Sequence, residues 1–399
     1  MLSISQRGYE MPASPIRKLV PFADAAKKKG TVVYHLNIGQ PDIETPPAIL
    51  DAVRHITMPV LEYSHSAGNE SYRRKLVQYY KEWGIEVTHE QILVTTGGSE
   101  AILFAFFACL NPGDEVIIPE PFYANYNGFA CTAGVTVIPI VSTIETGFAL
   151  PSIGEFEKVI TEKTKAIILC NPNNPTGYLY SEAEVRELAR ICKEHQLYLI
   201  SDEAYRDFRY DSTESYLSPI QIEGMDDNVI VVDTVSKRYS SCGARIGAFV
   251  TKNQEVYTTA LKFAQARLSP PGLGQILGQA AVDLPKDYFN KPKAEYQSRR
   301  DVLVKRLNAM DGVFCPMPGG AFYAMAQLPI DDGDKFCQWL LEEFEHEGQT
   351  VMLAPASGFY STPGLGRQEV RLAYVLNKAS INKAMDCLEI ALKQYPGRV

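Results

Sequence analysis

Between residues 90 and 250 the chain repeats one pattern, a short apolar run followed by a polar or glycine-rich turn. The runs are Ile92-Leu93-Val94-Thr95, Glu115-Val116-Ile117-Ile118, Ala166-Ile167-Ile168-Leu169-Cys170, Leu197-Tyr198-Leu199-Ile200 and Val229-Ile230-Val231-Val232. None alternates with polar residues, which predicts strands buried on both faces of a parallel sheet. Helical spacing fills some of the intervals. One example is Ser181 to His195, where Ser181 and Glu184 have the spacing of a capping box. This alternation predicts an α/β doubly wound domain. The last third changes character: residues 291–310 and 334–347 read as amphipathic helices around a Gly/Pro break at Pro316-Met317-Pro318-Gly319-Gly320. The expected division is an N-terminal segment (1–40) joining a small C-terminal domain (286–399), with a large domain (41–285) between them.

In open α/β sheets ligands bind beyond the carboxyl ends of the strands. Here those ends carry Gly97-Gly98-Ser99, Pro121-Phe122-Tyr123, the stretch from Asn171 to Gly177, Asp202-Glu203-Ala204-Tyr205 and Thr234-Val235-Ser236-Lys237. An anion cradle, an aromatic, an amide, a carboxylate and a lysine would then meet along one sheet edge. Each piece alone has a plainer reading. Gly97-Gly98-Ser99 could cradle a phosphate at a helix start near Glu100, or be an ordinary strand-to-helix turn. Lys237 could be a surface lysine; it serves as an imine nucleophile where a desolvated or cationic setting favours the neutral amine. Arg245, eight residues on, could supply a fixed positive charge there and a phosphate contact. Asp202 ends a buried strand and needs a cationic partner, unless it caps a helix. Tyr123 could stack on a flat ring or fill the core. Gly272-Leu273-Gly274-Gln275-Ile276-Leu277-Gly278 misses dinucleotide-loop spacing by one residue and has no strand before it.

Composition narrows the classes. A formal charge of −8 argues against nucleic-acid binding. The basic run Lys27-Lys28-Lys29 reads as a solvated helix end. The longest apolar stretch, Ala101 to Leu110, is about half of a membrane span. The first residues lack the apolar core of a secretory signal. The eight cysteines form no CxxC pair, so neither a zinc site nor a disulfide framework is indicated, and a reducing cytoplasm is expected.

At Asn174-Pro175-Thr176-Gly177, Asp202-x-x-Tyr205 and Ser236-Lys237 with Arg245, the chain resembles the class I/II aminotransferases, from about Asn37 to Asn377. These are fold-type I pyridoxal-phosphate enzymes related to aspartate, aromatic and alanine aminotransferases. The resemblance implies a large domain with a mostly parallel sheet flanked by helices, plus a smaller α+β domain from both termini. It implies pyridoxal 5′-phosphate as cofactor, held by Lys237 as a Schiff base, with Lys237 later moving a proton between the substrate α-carbon and the cofactor C4′. Asp202 would pair with the ring nitrogen, Asn174 and Tyr205 would bond the ring's phenolic oxygen, and Tyr123 would stack on the ring. Gly97, Gly98, Ser99, Thr234, Ser236 and Arg245 would hold the phosphate. Arg371 would bind the substrate α-carboxylate, with Gly39 and Asn174 completing that pocket. Tyr63 would reach the phosphate of a second subunit, which makes a homodimer with shared active sites. Ala264 falls where aspartate-specific members carry an arginine that reads the distal carboxylate. The nearby Arg267 could serve that carboxylate, bond the partner's phosphate, or lie on the surface.

The implied reaction moves an amino group from an L-amino acid (aspartate, aromatic or other neutral) to a 2-oxo acid such as 2-oxoglutarate. It would run as a ping-pong cycle through pyridoxamine phosphate. A C–S lyase on the same fold would use the same Lys237 and Asp202. A cofactor-sensing regulatory domain would need a basic DNA-binding module, and none precedes the site.

Overall fold

The computed structural model describes residues 2–210 and 216–399. After the first strand, β1 (Val32–His35), seven strands form one sheet: β2 (Ile92–Thr95), β3 (Glu115–Glu120), β4 (Thr136–Val141), β5 (Thr164–Cys170), β6 (Tyr198–Asp202), β7 (Val229–Thr234) and β8 (Gly247–Val250). Their spatial order is β2-β8-β7-β6-β5-β3-β4. All pairings are parallel except those of β8, which runs antiparallel to both neighbours. The five apolar runs are therefore five parallel strands. They lack polar alternation because both faces are covered: Leu199, Val229 and Val231 enter one apolar cluster, while Ile200, Ile230 and Val232 enter the other. Each such side chain contributes about 1.5–3 kcal/mol by leaving water.

The helix Glu182–Glu194 begins at the expected capping box. Glu184 N donates to Ser181 Oγ (3.3 Å), and Ser181 N donates to Glu184 Oε2 (2.7 Å). The helix after β2 begins at Gly97, three residues before the expected start.

The four remaining strands are β9 (Tyr323–Gln327), β10 (Gln349–Met352), β11 (Ala354–Pro355) and β12 (Glu369–Ala373). β9, β11 and β12 form an antiparallel sheet, and β1 pairs in parallel with β10. Residues near the two ends of the chain thus share a ladder. Helices Asn290–Asn308 and Lys378–Gln394 pack together through Leu303, Leu307, Ile381 and Leu388. The helix expected over 334–347 spans Gly333–Glu342. The chain then turns through Glu347 and Gly348, both at positive φ, to enter β10. Glycine tolerates that conformation; Glu347 is held in it by the tight turn.

Candidate active site

Because β2, β3, β5, β6 and β7 are parallel, their carboxyl ends share one edge of the sheet. The antiparallel β8 brings its first residue, Gly247, to the same edge, opposite Thr95 and Thr234. Arg245 therefore enters from the reverse direction. A cavity of 540 Å³ opens there. Gly98, Ser99 and Tyr123 line it, with Asn174, Asp202 and Tyr205 further along. Thr234, Ser236, Lys237 and Arg245 line the β7–β8 side, while Gly39 and Arg371 come from the segment around β1 and from β12. Gly97 lies behind this lining: a Cβ there would sit 2.7 Å from Arg245 Nη2.

Lys237 follows β7 on the short helix Val235–Arg238, and its Nζ donates to the Gly39 carbonyl at 3.0 Å. Asp202, the last residue of β6, is buried. Its Oδ2 accepts from Tyr126 Oη at 2.8 Å and its Oδ1 from the Ala204 N–H at 3.2 Å, which is not a helix cap. Among the described residues no cationic side chain pairs with it. Burial pushes this carboxyl up to about 6, against the pull of Tyr126. Tyr205 Oη bonds Tyr323 Oη at 2.8 Å, and burial raises Tyr205 well above its ordinary value, so the phenol stays protonated. Tyr123 meets Tyr126 edge-on with ring centroids 5.5 Å apart.

Arg245 donates only to backbone carbonyls, Cys242 O at 3.2 Å and Thr96 O at 3.5 Å. Thr234 Oγ1 and Ser236 Oγ lie 2.7 Å apart beside it in the lining. The first N–H groups of helix Gly97–Cys109 have no intrahelical acceptor, and Gly98 and Ser99 bring that end into the cavity. Arg371 is fully buried. It donates from Nη1 to Asn174 Oδ1 (3.0 Å) and from Nη2 to Asn37 O (2.6 Å), while Nε has no partner. Burial lowers its pKa. Gly39 is obligatory because a Cβ would lie 1.7 Å from Tyr323 Oη.

Behind the lining, the ends of β6 and β7 are tied by buried ion pairs. Arg206 pairs with Glu203 at 2.5 Å and with Asp233 at 3.3 Å; Arg238 pairs with Asp233 and, at 3.3 Å, with Asp207. Every charge in the group has a counter-charge, which makes it a rigid frame and not a reactive centre.

Two positions flagged near the end of helix Gln254–Ala266 lie outside this chain's own cavity. Ala264 is fully buried in that helix. Arg267 is not a surface residue: it pairs with Glu100 (3.2 Å) and donates to Val94 O (3.1 Å). It borders a second cavity with Leu61 and Tyr63. Tyr63 itself is 78% exposed and lies outside the main cavity. Sequence reading missed Tyr126 and Tyr323. The signal for Tyr126 was the unmet demand of a buried Asp202 for donors; Tyr323 had none beyond its place after the Gly319-Gly320 break.

The sequence model of class I and II aminotransferases matches residues 31–387. The chain belongs to the class I and II aminotransferases. It is 32% identical to aspartate aminotransferase of Thermotoga maritima over 392 residues, covering 97% of this chain and 98% of that protein. The crystal structure of a T. maritima aspartate aminotransferase superposes with a TM-score of 0.89 at 30% identity, covering 98% of this chain and 100% of that one. An alanine aminotransferase from Pyrococcus furiosus superposes with a TM-score of 0.90, also at 30% identity, covering 98% and 100%. Relatives named for different amino acids are thus equally similar.

The protein is a pyridoxal-phosphate-dependent aminotransferase of fold type I. The residues present fit that cofactor. Arg245 and the helix start lack a counter-anion, which suits a phosphate. Asp202 lacks a counter-cation, which suits a protonated ring nitrogen. Among the described residues Lys237 is the one lysine lining the cavity.

Proposed function

We propose that the protein transfers the amino group of an L-amino acid, aspartate or a neutral one, to a 2-oxo acid such as 2-oxoglutarate in a ping-pong cycle. The observation that carries the amino-acid substrate is Arg371, a buried guanidinium with an unpartnered Nε and no carboxylate beside it. A buried cation without a counter-charge is unfavourable until an anion arrives, and the planar fork suits an α-carboxylate. The cofactor, when bound, supplies an electron sink for charge leaving the substrate α-carbon.

In this reading Lys237 Nζ would hold the cofactor between cycles and would be the group that takes up and returns the proton at the substrate α-carbon. Asp202 stays ionised against the ring nitrogen, with Tyr126 and the Ala204 N–H fixing both of its oxygens. Tyr205 and Asn174 orient the ring through its phenolic oxygen, and Tyr123 covers one face. Gly98, Ser99, Thr234, Ser236 and Arg245 hold the phosphate, and Gly97 leaves room for Arg245.

The test is a panel of amino donors with 2-oxoglutarate as acceptor, run on the wild type and on Arg371→Lys. A lysine keeps the charge but loses the fork, so kcat/KM should fall about 10²-fold for every donor alike. Release of ammonia without an oxo-acid acceptor would instead indicate an eliminating lyase.

We also place Tyr63 at the phosphate of a second copy. Its exposed ring borders the second cavity beside exposed Leu61, and the segment 269–272 that completes that lining is flanked by exposed Leu268 and Leu273. Sedimentation should show a dimer, and Tyr63→Phe should weaken cofactor binding without changing assembly. A fully active monomer would refute this. The eight unpaired cysteines support a reducing compartment such as the cytoplasm. Among the described residues no helix is long and apolar enough to cross a membrane.

A further inference from the structure

Among the described residues the cavity is lined by four cationic side chains, Arg17, Lys237, Arg245 and Arg371, against one carboxylate, Asp202. Three of the four have work under the proposed function. Arg17 has none, and among the described residues its exposed guanidinium makes no ion pair and no hydrogen bond; only its backbone is bonded, the N–H to Ser14 Oγ at 3.3 Å and the carbonyl to the Val20 N–H.

The segment that carries Arg17 is docked at several points. Pro15 packs onto Gly358 so closely that a Cβ on that glycine would lie 2.1 Å from the Pro15 Cβ. Lys18 pairs with Asp334, and Leu19 is buried in the main core. Ile16 packs against the apolar cluster of Ala124, Ala354 and Phe359. The Arg371 guanidinium stacks over that same Phe359 ring, 4.7 Å from its centroid. Residues 14–17 therefore sit on the side of the cavity where the substrate's α-carboxylate would bind, and Arg17 is the one long side chain in them with no protein partner.

We infer that Arg17 reads a second carboxylate on the substrate, which makes dicarboxylic amino acids and their 2-oxo acids the preferred class. The assignment rests on the transaminase reading for its substrate frame, but the site it names is an anion site and can be tested without turnover. Once the phosphate and the α-carboxylate have answered Arg245 and Arg371, Arg17 is the remaining positive charge without a counter-anion. A distal carboxylate supplies it; a neutral side chain does not. Neither Ala264 nor Arg267 lines this chain's own cavity.

The experiment uses the holoenzyme in wild-type, Arg17→Ala, Arg17→Lys and Gly358→Ala forms. Two quantities are measured: kcat/KM for aspartate and for alanine, and calorimetric affinity for succinate and for butyrate, which cannot be transaminated. Arg17→Ala should lower kcat/KM for aspartate and affinity for succinate about 10-fold or more, with alanine and butyrate changing less than about 2-fold. Arg17→Lys should recover part of the loss. Gly358→Ala, which must displace Pro15 and with it the segment that carries Arg17, should reproduce the selective loss although Arg17 itself is not substituted. A wild type that transaminates, with both ratios unchanged in Arg17→Ala, overturns the role of Arg17 alone. A wild type that binds succinate through Arg17 but transaminates nothing supports the site and overturns the transaminase reading.

Discussion

Replacing Lys237 with alanine should lower the transamination rate by about 10⁴-fold or more, because among the described residues it carries the one amine that lines the cavity. The guanidinium groups of Arg17, Arg245 and Arg371 serve as anion partners and not as bases. Tyr205 is held in its phenol form by burial, and its hydroxyl is committed to Tyr323. Asp202 accepts two hydrogen bonds at the end of β6 and would be occupied by the ring nitrogen. The variant should still take up the cofactor, since Arg245, Ser236 and the Gly98–Ser99 helix start are untouched. It should also lose the covalent bond that borohydride reduction traps at position 237 in the wild type. Steady-state assays together with mass analysis of the reduced protein check both halves. Repeated turnover at the wild-type rate by the variant would sink the mechanism.

Most of the frame that positions Lys237 was legible in the sequence, for a physical reason. A strand covered on both faces must be apolar at every position, so β2, β3, β5, β6 and β7 announced themselves and their carboxyl ends named the site. Strand β8 did not, since Gly247-Ala248-Phe249-Val250 is short and opens on glycine; its antiparallel course, which turns Arg245 into the cavity, depends on pairing with both β2 and β7. The placement of Arg17 was equally hidden. It depends on Pro15 resting on Gly358 and Lys18 meeting Asp334, contacts between opposite ends of the chain that no local pattern encodes. Nor does counting from a motif tell which face of helix Gln254–Ala266 points inward; Ala264 faces the core.

Asp202→Asn is the second large effect, and it should push activity and stability in opposite directions. Asparagine can still accept from Tyr126 but cannot hold a proton on the ring nitrogen by charge, so kcat should fall about 10²–10³-fold. In the cofactor-free protein the same carboxylate is a liability. Burial lifts its pKa from the ordinary 3.8 to about 6, so ionising it in the folded chain costs about 3 kcal/mol more than in the unfolded one. Below pH 4 the carboxyl is protonated in both states and the penalty is absent. Between pH 4 and 6 the unfolded chain releases its proton first and the penalty grows; above pH 6 it is complete. Cofactor-free Asp202→Asn should therefore be more stable than cofactor-free wild type at pH 8, and the advantage should shrink toward pH 4. With cofactor bound, the advantage should vanish or reverse, because the ring nitrogen then supplies the missing positive charge. Thermal unfolding of both proteins, with and without cofactor, at pH 5 and pH 8 measures all of these differences. An Asn variant no more stable than wild type at pH 8 without cofactor would mean that Asp202 is already neutralised inside the protein, and the case for its pairing with the ring would lose its electrostatic basis.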